Sequence, residues 1–213
     1  MPLHHLERTW SARVAGLPAW VVVTQLFIGL GWLRAAAEKI VDPAWWRGDG
    51  VVRFLADHDG RALTWFEPFL ELVVTPRVVV VAAIVVVLQL AAGATLVAGR
   101  HAAVGLAVGI GLNLVFLASG AVNPSAFYLL AQGALVLWAV ERRRGHRRET
   151  AIVTAAAVAL TLAVVSLPDV ATLAPAAVVD DPAVMFVLGG TLGAMGCGLV
   201  LAPAGGRAHP AGR

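Results

Sequence analysis

A small set of polar side chains stands inside long apolar runs, and these are the residues whose types and spacing could do chemistry. Arg34, Glu38 and Lys39 lie near the end of the first run, while Gln89 and Asn113 lie within later ones. Charged and amide side chains are costly in hydrocarbon, so each is a candidate for a functional role. Arg34 and Glu38 are four residues apart and share one helix face. This spacing predicts an ion pair, or else a buried Arg34 that binds a polar ligand or a neighbouring helix.

Other residues inside the runs predict contacts between helices. Gln89, Asn113 and Gln132 stand in three successive runs, and such amides can hydrogen-bond from helix to helix, contributing about 0.6–2 kcal/mol. A structural role and a ligand-binding role therefore both stay open for Gln89 and Asn113. The pairs Gly105–Gly109 and Gly189–Gly193 have GxxxG spacing, which favours close helix packing.

The runs themselves determine the fold class. Of the 213 residues, 59% are hydrophobic and 14% are charged, whereas soluble domains carry about 25% charged residues. The runs approach the roughly 20 residues that a membrane helix needs, and they are continuous rather than alternating, which favours helices over a β-barrel. We expect an all-α polytopic membrane protein with spans at 19–37, 78–98, 102–119, 126–140, 151–167 and 183–202.

The first four spans fall within residues 19–140 and the last two within residues 151–202. The other segments are an N-terminal segment 1–18, an outer loop 42–77, a basic loop 141–150 and a tail 203–213. The side with both termini carries ten basic and three acidic residues, and the other side carries six basic and ten acidic. Because Lys and Arg concentrate in cytoplasmic loops, we expect a multi-pass cell-membrane protein, surrounded by lipid, with both termini in the cytoplasm.

The outer loop has the composition of a membrane-surface segment. Trp45, Trp46 and several other aromatic residues alternate with charges, and tryptophan at this density is typical of the membrane–water interface. Glycines divide the loop into two short amphipathic helices, which we expect to cover the outer end of the bundle. Thr64 and Glu67 have the spacing of a capping box. The loop is either an interfacial anchor or a lid over a binding pocket.

Several functional classes are excluded by the sequence. No histidine lies within a span, which excludes a haem held by two histidines between helices and a di-iron site built from Glu-x-x-His motifs. Cys197 is the only cysteine, so a CxxC pair and a four-cysteine metal site are excluded. The basic residues sit at span ends, which argues against nucleic acid as a partner. We expect no haem and no metal, so any electrons must travel on a bound organic carrier such as a quinone.

Three segments carry a family resemblance. Residues 25–40, QLFIGLGWLRAAAEKI, are followed by VDPAWW, and residues 88–109 and 122–138 read LQLAAGATLVAGRHAAVGLAVG and VNPSAFYLLAQGALVLW. They resemble the DoxX/DoxD family over about residues 20–140, with motif positions at Lys39, Asp42, Pro43, Trp45, Gly93 and Gly99. The resemblance implies a four-helix membrane bundle at 19–140, with the two spans at 151–202 as an appended pair of membrane helices. It also implies the membrane subunit of a thiosulfate:quinone oxidoreductase or, as in other members, a membrane anchor for a partner protein.

The chain departs from the family pattern at two positions. Gln25 stands where the family usually has an arginine, and Gln89 stands where it usually has a glutamate. Both members of a plausible buried charge pair are therefore neutral amides. This replacement leaves no unpaired charge, but it argues against a proton-coupled role for the pair. The resemblance leaves Arg34 as the residue that could take over anion binding.

Two functions follow from the residues and the resemblance. In the first, the chain is the membrane subunit of a redox complex, and a pocket beneath the outer loop binds a quinone headgroup or thiosulfate. Stacking and cation–π contact suit a quinone, and an Arg–Lys pair suits the anion. The candidate ligand-binding residues are Arg34, Glu38, Lys39, Trp45, Trp46, Gln89 and Asn113.

In the second function, the chain is a non-catalytic scaffold that anchors a soluble redox or sulfur-metabolism enzyme, with the arginines between Glu141 and Glu149 as the contact. A transporter is a weaker third candidate, because broken helices and inverted repeats are not evident.

Overall fold

A computed structural model describes residues 15–142, 146–171 and 178–201 of the chain. Within these residues every regular element is a helix. Most of the predicted N-terminal segment, residues 143–145 of the basic loop and the whole predicted tail lie outside the described residues. The helices in chain order are α1 (Ala19–Val41), α2 (Pro43–Trp46), α3 (Asp49–Asp57), α4 (Val78–Val97), α5 (Ala102–Ala118), α6 (Ser125–Glu141), α7 (His146–Ser166) and α8 (Pro182–Leu201).

Each of the six apolar runs forms a helix. Four helical stretches are long and apolar enough to cross a membrane: Ala19–Val41, Glu67–Val97, Glu149–Asp169 and Pro182–Leu201. The second of these includes α4 and the helical turns that lead into it from Glu67. Helices α5 and α6 are also apolar but have 17 residues each, which is the lower end of the length that spans a bilayer. The chain is thus an all-helical protein with the features of a membrane protein.

Helix α1 continues four residues beyond its predicted end. Glu38 and Lys39 lie within its last turn and a half, because a charged side chain ends an apolar run without ending a helix. The helix ends at Val41, and the backbone of the next residue, Asp42, is extended (φ −90°, ψ 107°). A following proline favours this conformation, since its ring disfavours a helical residue before it, and Pro43 then begins α2.

Helices α1, α4, α5 and α6 form a four-helix arrangement in which each packs against the next and α6 packs against α1. Helices α7 and α8 pack mainly against each other, and α8 also contacts α6 and α5. The interior of the four helices is built from apolar residues of all four: Val21, Ile28, Trp32, Ala92, Leu96, Leu112 and Leu135. The helix pair α7–α8 therefore lies beside a separate four-helix core.

Glycines allow the helices of this core to approach closely. A Cβ atom added at Gly93 would lie 2.8 Å from the backbone oxygen of Gly29, so α1 and α4 meet almost backbone to backbone. The predicted close packing at Gly105 and Gly109 is confirmed. A Cβ atom at Gly105 would lie 2.9 Å from the Leu96 side chain on α4, and one at Gly109 would collide with side chains of α1 and α6.

The second GxxxG prediction is wrong in its details. A Cβ atom added at Gly189 would meet nothing within 4 Å, and one at Gly193 would be 3.8 Å from Ala159. Gly190 makes a closer contact with α7, because an added Cβ atom there would lie 2.9 Å from that of Ala163. The GxxxG motif correctly identified α8 as a helix with a close contact. It missed the contacting glycine by one position, because α8 is apolar on all sides.

The loop between α1 and α4 packs on one end of the bundle, which we call the loop end. The ring of Phe54 in α3 lies 5.9 Å from that of Phe116 in α5. Leu63 is 1% exposed, and its backbone N–H donates to the carbonyl of Ala118 (2.9 Å). The loop was predicted to form two short helices, but it forms α2 and α3, and its last helical turns, from Glu67, lead into α4. Gly48 and Gly60 have positive φ before and after α3. These glycines fit because L side chains rarely adopt that conformation.

The predicted capping box at Thr64 and Glu67 is wrong. The Thr64 hydroxyl donates to Oδ1 of Asp169 (2.7 Å), and its backbone N–H donates to Oδ2 of the same carboxylate (3.2 Å). Phe66, not Thr64, precedes the helical turn that begins at Glu67. The tertiary partner replaces the local one, because Asp169 offers a charged acceptor at the end of α7.

Three chain connections meet at the loop end. Besides the contact of Thr64 with Asp169, the Arg61 guanidinium reaches the carbonyl of Asp180 (3.5 Å). The Asn123 amide donates to the Asp180 carboxylate (3.2 Å). The α1–α4, α5–α6 and α7–α8 connections are therefore on one side, as expected for antiparallel helices joined in sequence. This arrangement fixes which ends of the helices share a face of the molecule.

Asp181 caps α8, and its removal is expected to destabilise the α7–α8 pair. It is 7% exposed, and its carboxylate accepts from the backbone N–H groups of Ala183 (2.9 Å), Val184 (3.2 Å) and Ala171 (3.1 Å). Asp181→Ala leaves these donors unpaired and should cost about 1 kcal/mol of stability, seen as a lower unfolding temperature in detergent. Asp59→Ala is the control, because Asp59 is an exposed aspartate in the loop between α1 and α4. Equal losses in the two variants would contradict the capping role.

Candidate functional site

Arg34 and Glu38 form an ion pair on the outside of the bundle. Arg34 Nε donates to Glu38 Oε1 at 2.9 Å, and the two side chains are 82% and 59% exposed. Of the two interpretations of the spacing, the structure supports the ion pair and not the buried arginine. Helix α1 turns this face away from α4 and α6, so Arg34 faces whatever surrounds the bundle.

Lys39 and Trp45 lie together at the end of α1. The Lys39 ammonium lies 4.9 Å from the centre of the Trp45 ring and donates to the carbonyl of Ala35 (3.2 Å). The Trp45 indole N–H donates to the carbonyl of Ala82 in α4 (3.0 Å), so this side chain joins the loop to the bundle. Trp46 is 44% exposed, and its indole N–H donates to Ile40 (3.0 Å).

The structure therefore brings together some of the predicted site residues and separates others. Lys39 meets Trp45, and Arg34 meets Glu38, but the hydrogen-bonding atoms of both tryptophans are already used by backbone carbonyls. Gln89 and Asn113 are 2% exposed and lie inside the four-helix core. These contacts do not form an enclosed pocket that joins Arg34, Lys39 and the two tryptophans.

The interior of the core holds a second group of polar side chains, one from each helix, which we call the interior polar cluster. Its members are Trp32 of α1, Gln89 of α4, Asn113 of α5 and Gln132 of α6. All four are at most 5% exposed. They lie five to eleven residues from the loop ends of their helices, or roughly 8–17 Å at the helical rise of about 1.5 Å per residue.

One direct hydrogen bond joins two members of the cluster. The Asn113 amide Nδ2 donates to Oε1 of Gln132 (3.0 Å). Three other polar atoms are buried and have no hydrogen-bond partner among the described residues: Trp32 Nε1, Gln89 Oε1 and Gln132 Nε2. Buried polar atoms are nearly always paired with protein, water or ligand, and an unpaired one costs about 1–3 kcal/mol. The cluster therefore has unused bonding capacity.

The two unpaired donors converge on one point. A Cβ atom added at Gly109 would lie 2.9 Å from Trp32 Nε1 and would also collide with Gln132 Nε2. Both N–H groups are thus next to the Cα atom of Gly109, on the inner face of α5. Only glycine leaves room for them, so the second glycine of the Gly105–Gly109 motif does more than let two helices approach.

Three stacked aromatic rings connect the cluster to the outside of the bundle. The Tyr128 ring lies between those of Phe27 (5.9 Å, 26° between planes) and Trp32 (6.0 Å, 25°). Phe27 is 51% exposed, Tyr128 is partly buried and Trp32 is 5% exposed. The stacked rings thus run from the outer face of the bundle to Trp32, which carries one of the unpaired N–H groups.

The chemistry of the cluster suits a neutral, flat ligand with carbonyl groups. Two N–H donors can bond a carbonyl oxygen, the Gln89 carbonyl can accept from a hydroxyl, and aromatic faces can stack on a ring. A charged ligand is less suited, because the cluster contains no charged side chain. Among the described residues, no three His, Cys, Asp or Glu side chains lie close enough to hold a metal ion.

Sequence reasoning found part of this cluster. Gln89, Asn113 and Gln132 are recognisable as amides in apolar runs, but Trp32 and Tyr128 were missed among the apolar residues. The available signal was that both carry a polar atom within an apolar run. Gln25, the other amide, does not bond to Gln89, since its Nε2 donates to the carbonyl of Leu96 (2.6 Å). The two amides that depart from the family pattern are therefore not a hydrogen-bonded pair.

Comparisons of the chain with protein-family models, curated proteins and solved structures find no match. The DoxX/DoxD resemblance therefore remains a prediction from the motifs of residues 20–140.

Proposed function

We propose that this chain is the quinone-binding membrane subunit of a redox complex, with the quinone headgroup bound at the interior polar cluster. The observation that carries the proposal is the pair of unpaired donors, Trp32 Nε1 and Gln132 Nε2, beside Gly109. A quinone carbonyl accepts hydrogen bonds from such donors.

In this proposal the quinone headgroup enters past Tyr128, whose ring fills the space between those of Phe27 and Trp32. Tyr128 must then turn outward, towards the exposed side of Phe27. The tail of a membrane quinone would remain in the surrounding lipid, next to the exposed ring of Phe127.

The proposed topology has six spans and both termini in the cytoplasm of a cell-membrane protein. The contacts among the three connections at the loop end support a common side for them. The excess of acidic residues on that side and of arginines on the other supports the loop end as the outer one. Helices α5 and α6 have only 17 residues each, so they would span the membrane where the bilayer becomes thinner around the bundle.

The electron donor of the proposed complex is thiosulfate, and this part rests on the family resemblance alone. Two thiosulfate ions are oxidised to one tetrathionate ion and release two electrons, which with two protons reduce the quinone to the quinol. The exposed ion pair of Arg34 with Glu38 does not support an anion site on this chain. We therefore assign thiosulfate oxidation to a partner subunit.

A binding experiment tests the quinone site. Purified protein in lipid nanodiscs is titrated with a short-chain quinone, and bound quinone is measured by equilibrium dialysis. We expect saturable binding that is weakened about tenfold in Trp32→Phe, because this variant keeps a ring and loses one hydrogen bond worth about 1.4 kcal/mol. Trp20→Phe is the matched control, since Trp20 is 47% exposed and near the opposite end of α1.

The result that overturns the proposal is wild-type protein without saturable quinone binding. Equal binding by Trp32→Phe and the wild type would also exclude the interior polar cluster as the site. If no quinone binds and a soluble enzyme co-purifies with the protein from membranes, the scaffold function replaces the redox function.

A further inference from the structure

The seam between α1 and α6 is built differently from the other three seams of the four-helix core. Close backbone approaches at Gly93 and Gly105 join α1 to α4 and α4 to α5. A hydrogen bond between Asn113 and Gln132 joins α5 to α6. Helices α1 and α6 pack less extensively than any of these pairs, and aromatic rings from both helices fill much of the space between them. We call this side of the bundle the α1–α6 seam.

Tyr128 closes the middle of the α1–α6 seam. Its ring lies between that of Phe27, which is 51% exposed, and that of Trp32, which is 5% exposed. The tip of the side chain lies on the backbone of α1 at Gly31. An added Cβ atom at Gly31 would be 3.0 Å from Cζ of Tyr128 and would collide with the hydroxyl oxygen. Tyr128 therefore separates the outer surface from Trp32 of the interior polar cluster.

Packing alone holds the Tyr128 side chain in this position. Its hydroxyl has no hydrogen-bond partner in the part of the chain that the structure describes, whereas a buried tyrosine hydroxyl usually has one. The indole N–H groups of Trp45 and Trp65, in contrast, donate to Ala82 and Ser166. The Tyr128 ring can thus leave its position without breaking a hydrogen bond.

We propose that Tyr128 is a gate in the α1–α6 seam. When it lies on Gly31, it closes the interior polar cluster to the surrounding lipid, and when it turns outward, it opens a lateral path for a neutral ring compound dissolved in that lipid. The inference rests on the proposed function, because the quinone headgroup is the ligand that passes the gate. A ligand that binds only the open state has an apparent affinity that is reduced by the open fraction. The gate therefore predicts that a substitution opposing the closed position strengthens binding.

Fluorine NMR tests the gate directly. Tyr128 is the only tyrosine in the chain, so incorporation of fluorotyrosine gives a single signal from the gate in lipid nanodiscs. Gly31→Ala is expected to shift this signal, because the added Cβ atom collides with the hydroxyl in the closed position. A short-chain quinone added to the wild type is expected to shift it in the same direction. Gly133→Ala is the matched control on α6, since an added Cβ atom there meets nothing within 4 Å. A signal that Gly31→Ala leaves at the wild-type position would overturn the proposal.

The rates of quinone binding test whether the gate controls entry. Minor states are commonly populated at about 0.1–10%. With the seam open about a tenth of the time, Gly31→Ala should bind a short-chain quinone about tenfold faster and about tenfold more tightly than the wild type. Tyr128→Leu, which removes the ring and keeps an apolar side chain, is expected to change the association rate in the same direction. Slower or unchanged association in both variants would make Tyr128 a wall of the site and not its gate.

The same measurements distinguish failure of the gate from failure of the proposed function. Saturable quinone binding by the wild type, with no faster association in Gly31→Ala or Tyr128→Leu, overturns the gate and leaves the proposed function in place. No quinone binding by the wild type or by either variant overturns the proposed function, and the lateral path falls with it.

Discussion

Gly93→Val is expected to destabilise the four-helix core by about 1–3 kcal/mol, the usual cost of forcing extra atoms into a packed interior. An added Cβ atom would lie 2.8 Å from the backbone oxygen of Gly29 and 2.7 Å from Cγ of Leu33. The leucine can adjust, but a backbone atom in the middle of α1 cannot. The two helices must therefore separate, and α1 carries Trp32 of the interior polar cluster.

The measurement is the unfolding temperature of purified protein in detergent, followed by size-exclusion chromatography after heating. Gly111→Val provides the control, because Gly111 is in the neighbouring helix α5 and an added Cβ atom there meets nothing within 4 Å. The two variants add the same side chain to a helix of the same core. An unfolding temperature of Gly93→Val as high as that of Gly111→Val would show that α1 and α4 do not meet at this glycine.

The sequence predicted the helices well because lipid and backbone impose simple requirements. Continuous apolar runs must form helices where water is absent, and all six runs do so. The ends of the helices were less predictable. α1 ends where the backbone before Pro43 becomes extended, not at the charged residues Glu38 and Lys39.

The inward face of each helix was much harder to predict than its position. In a soluble protein the buried face is apolar and the exposed face is polar, which gives a periodic signal. Here valine occupies both faces of α4, since Val86 is 2% exposed and its neighbour Val87 is 62% exposed. Only the amides show the inner face, and they mark the interior polar cluster at Gln89, Asn113 and Gln132.

The outward face of a helix was equally hard to predict, as Arg34 shows. A charge in an apolar run indicates an energetic cost, but it does not show whether a ligand, a helix of the same chain or another molecule relieves that cost. The four-residue spacing to Glu38 predicted the ion pair that the structure contains. The exposure of this pair depends on where α4 and α6 pack on α1, and that is determined by glycines such as Gly29 and Gly93.

Asn113→Leu is expected to destabilise the protein by about 1–3 kcal/mol, because it leaves a buried acceptor without its partner. Gln132 Oε1 would lose its hydrogen bond from Asn113 Nδ2 inside the core. The double variant Asn113→Leu with Gln132→Leu is expected to recover most of this loss, since removing both partners leaves no unpaired polar atom between them. Unfolding temperatures in detergent measure both effects. Thr161→Val, whose hydroxyl is exposed and bonds within α7, should change stability by less than about 0.5 kcal/mol.

The same variants separate the structural role of the cluster from its binding role. If the amides only hold helices together, recovery of stability in the double variant should accompany unchanged quinone binding. If Gln132 Nε2 and Trp32 Nε1 bond the quinone, the double variant is stable yet binds quinone at least about tenfold more weakly, because one donor is lost. A stable core with lost binding is the expected outcome, since Gln132 uses Oε1 for Asn113 and leaves Nε2 unpaired beside Gly109. A stable double variant with wild-type affinity would leave the cluster with a packing role alone.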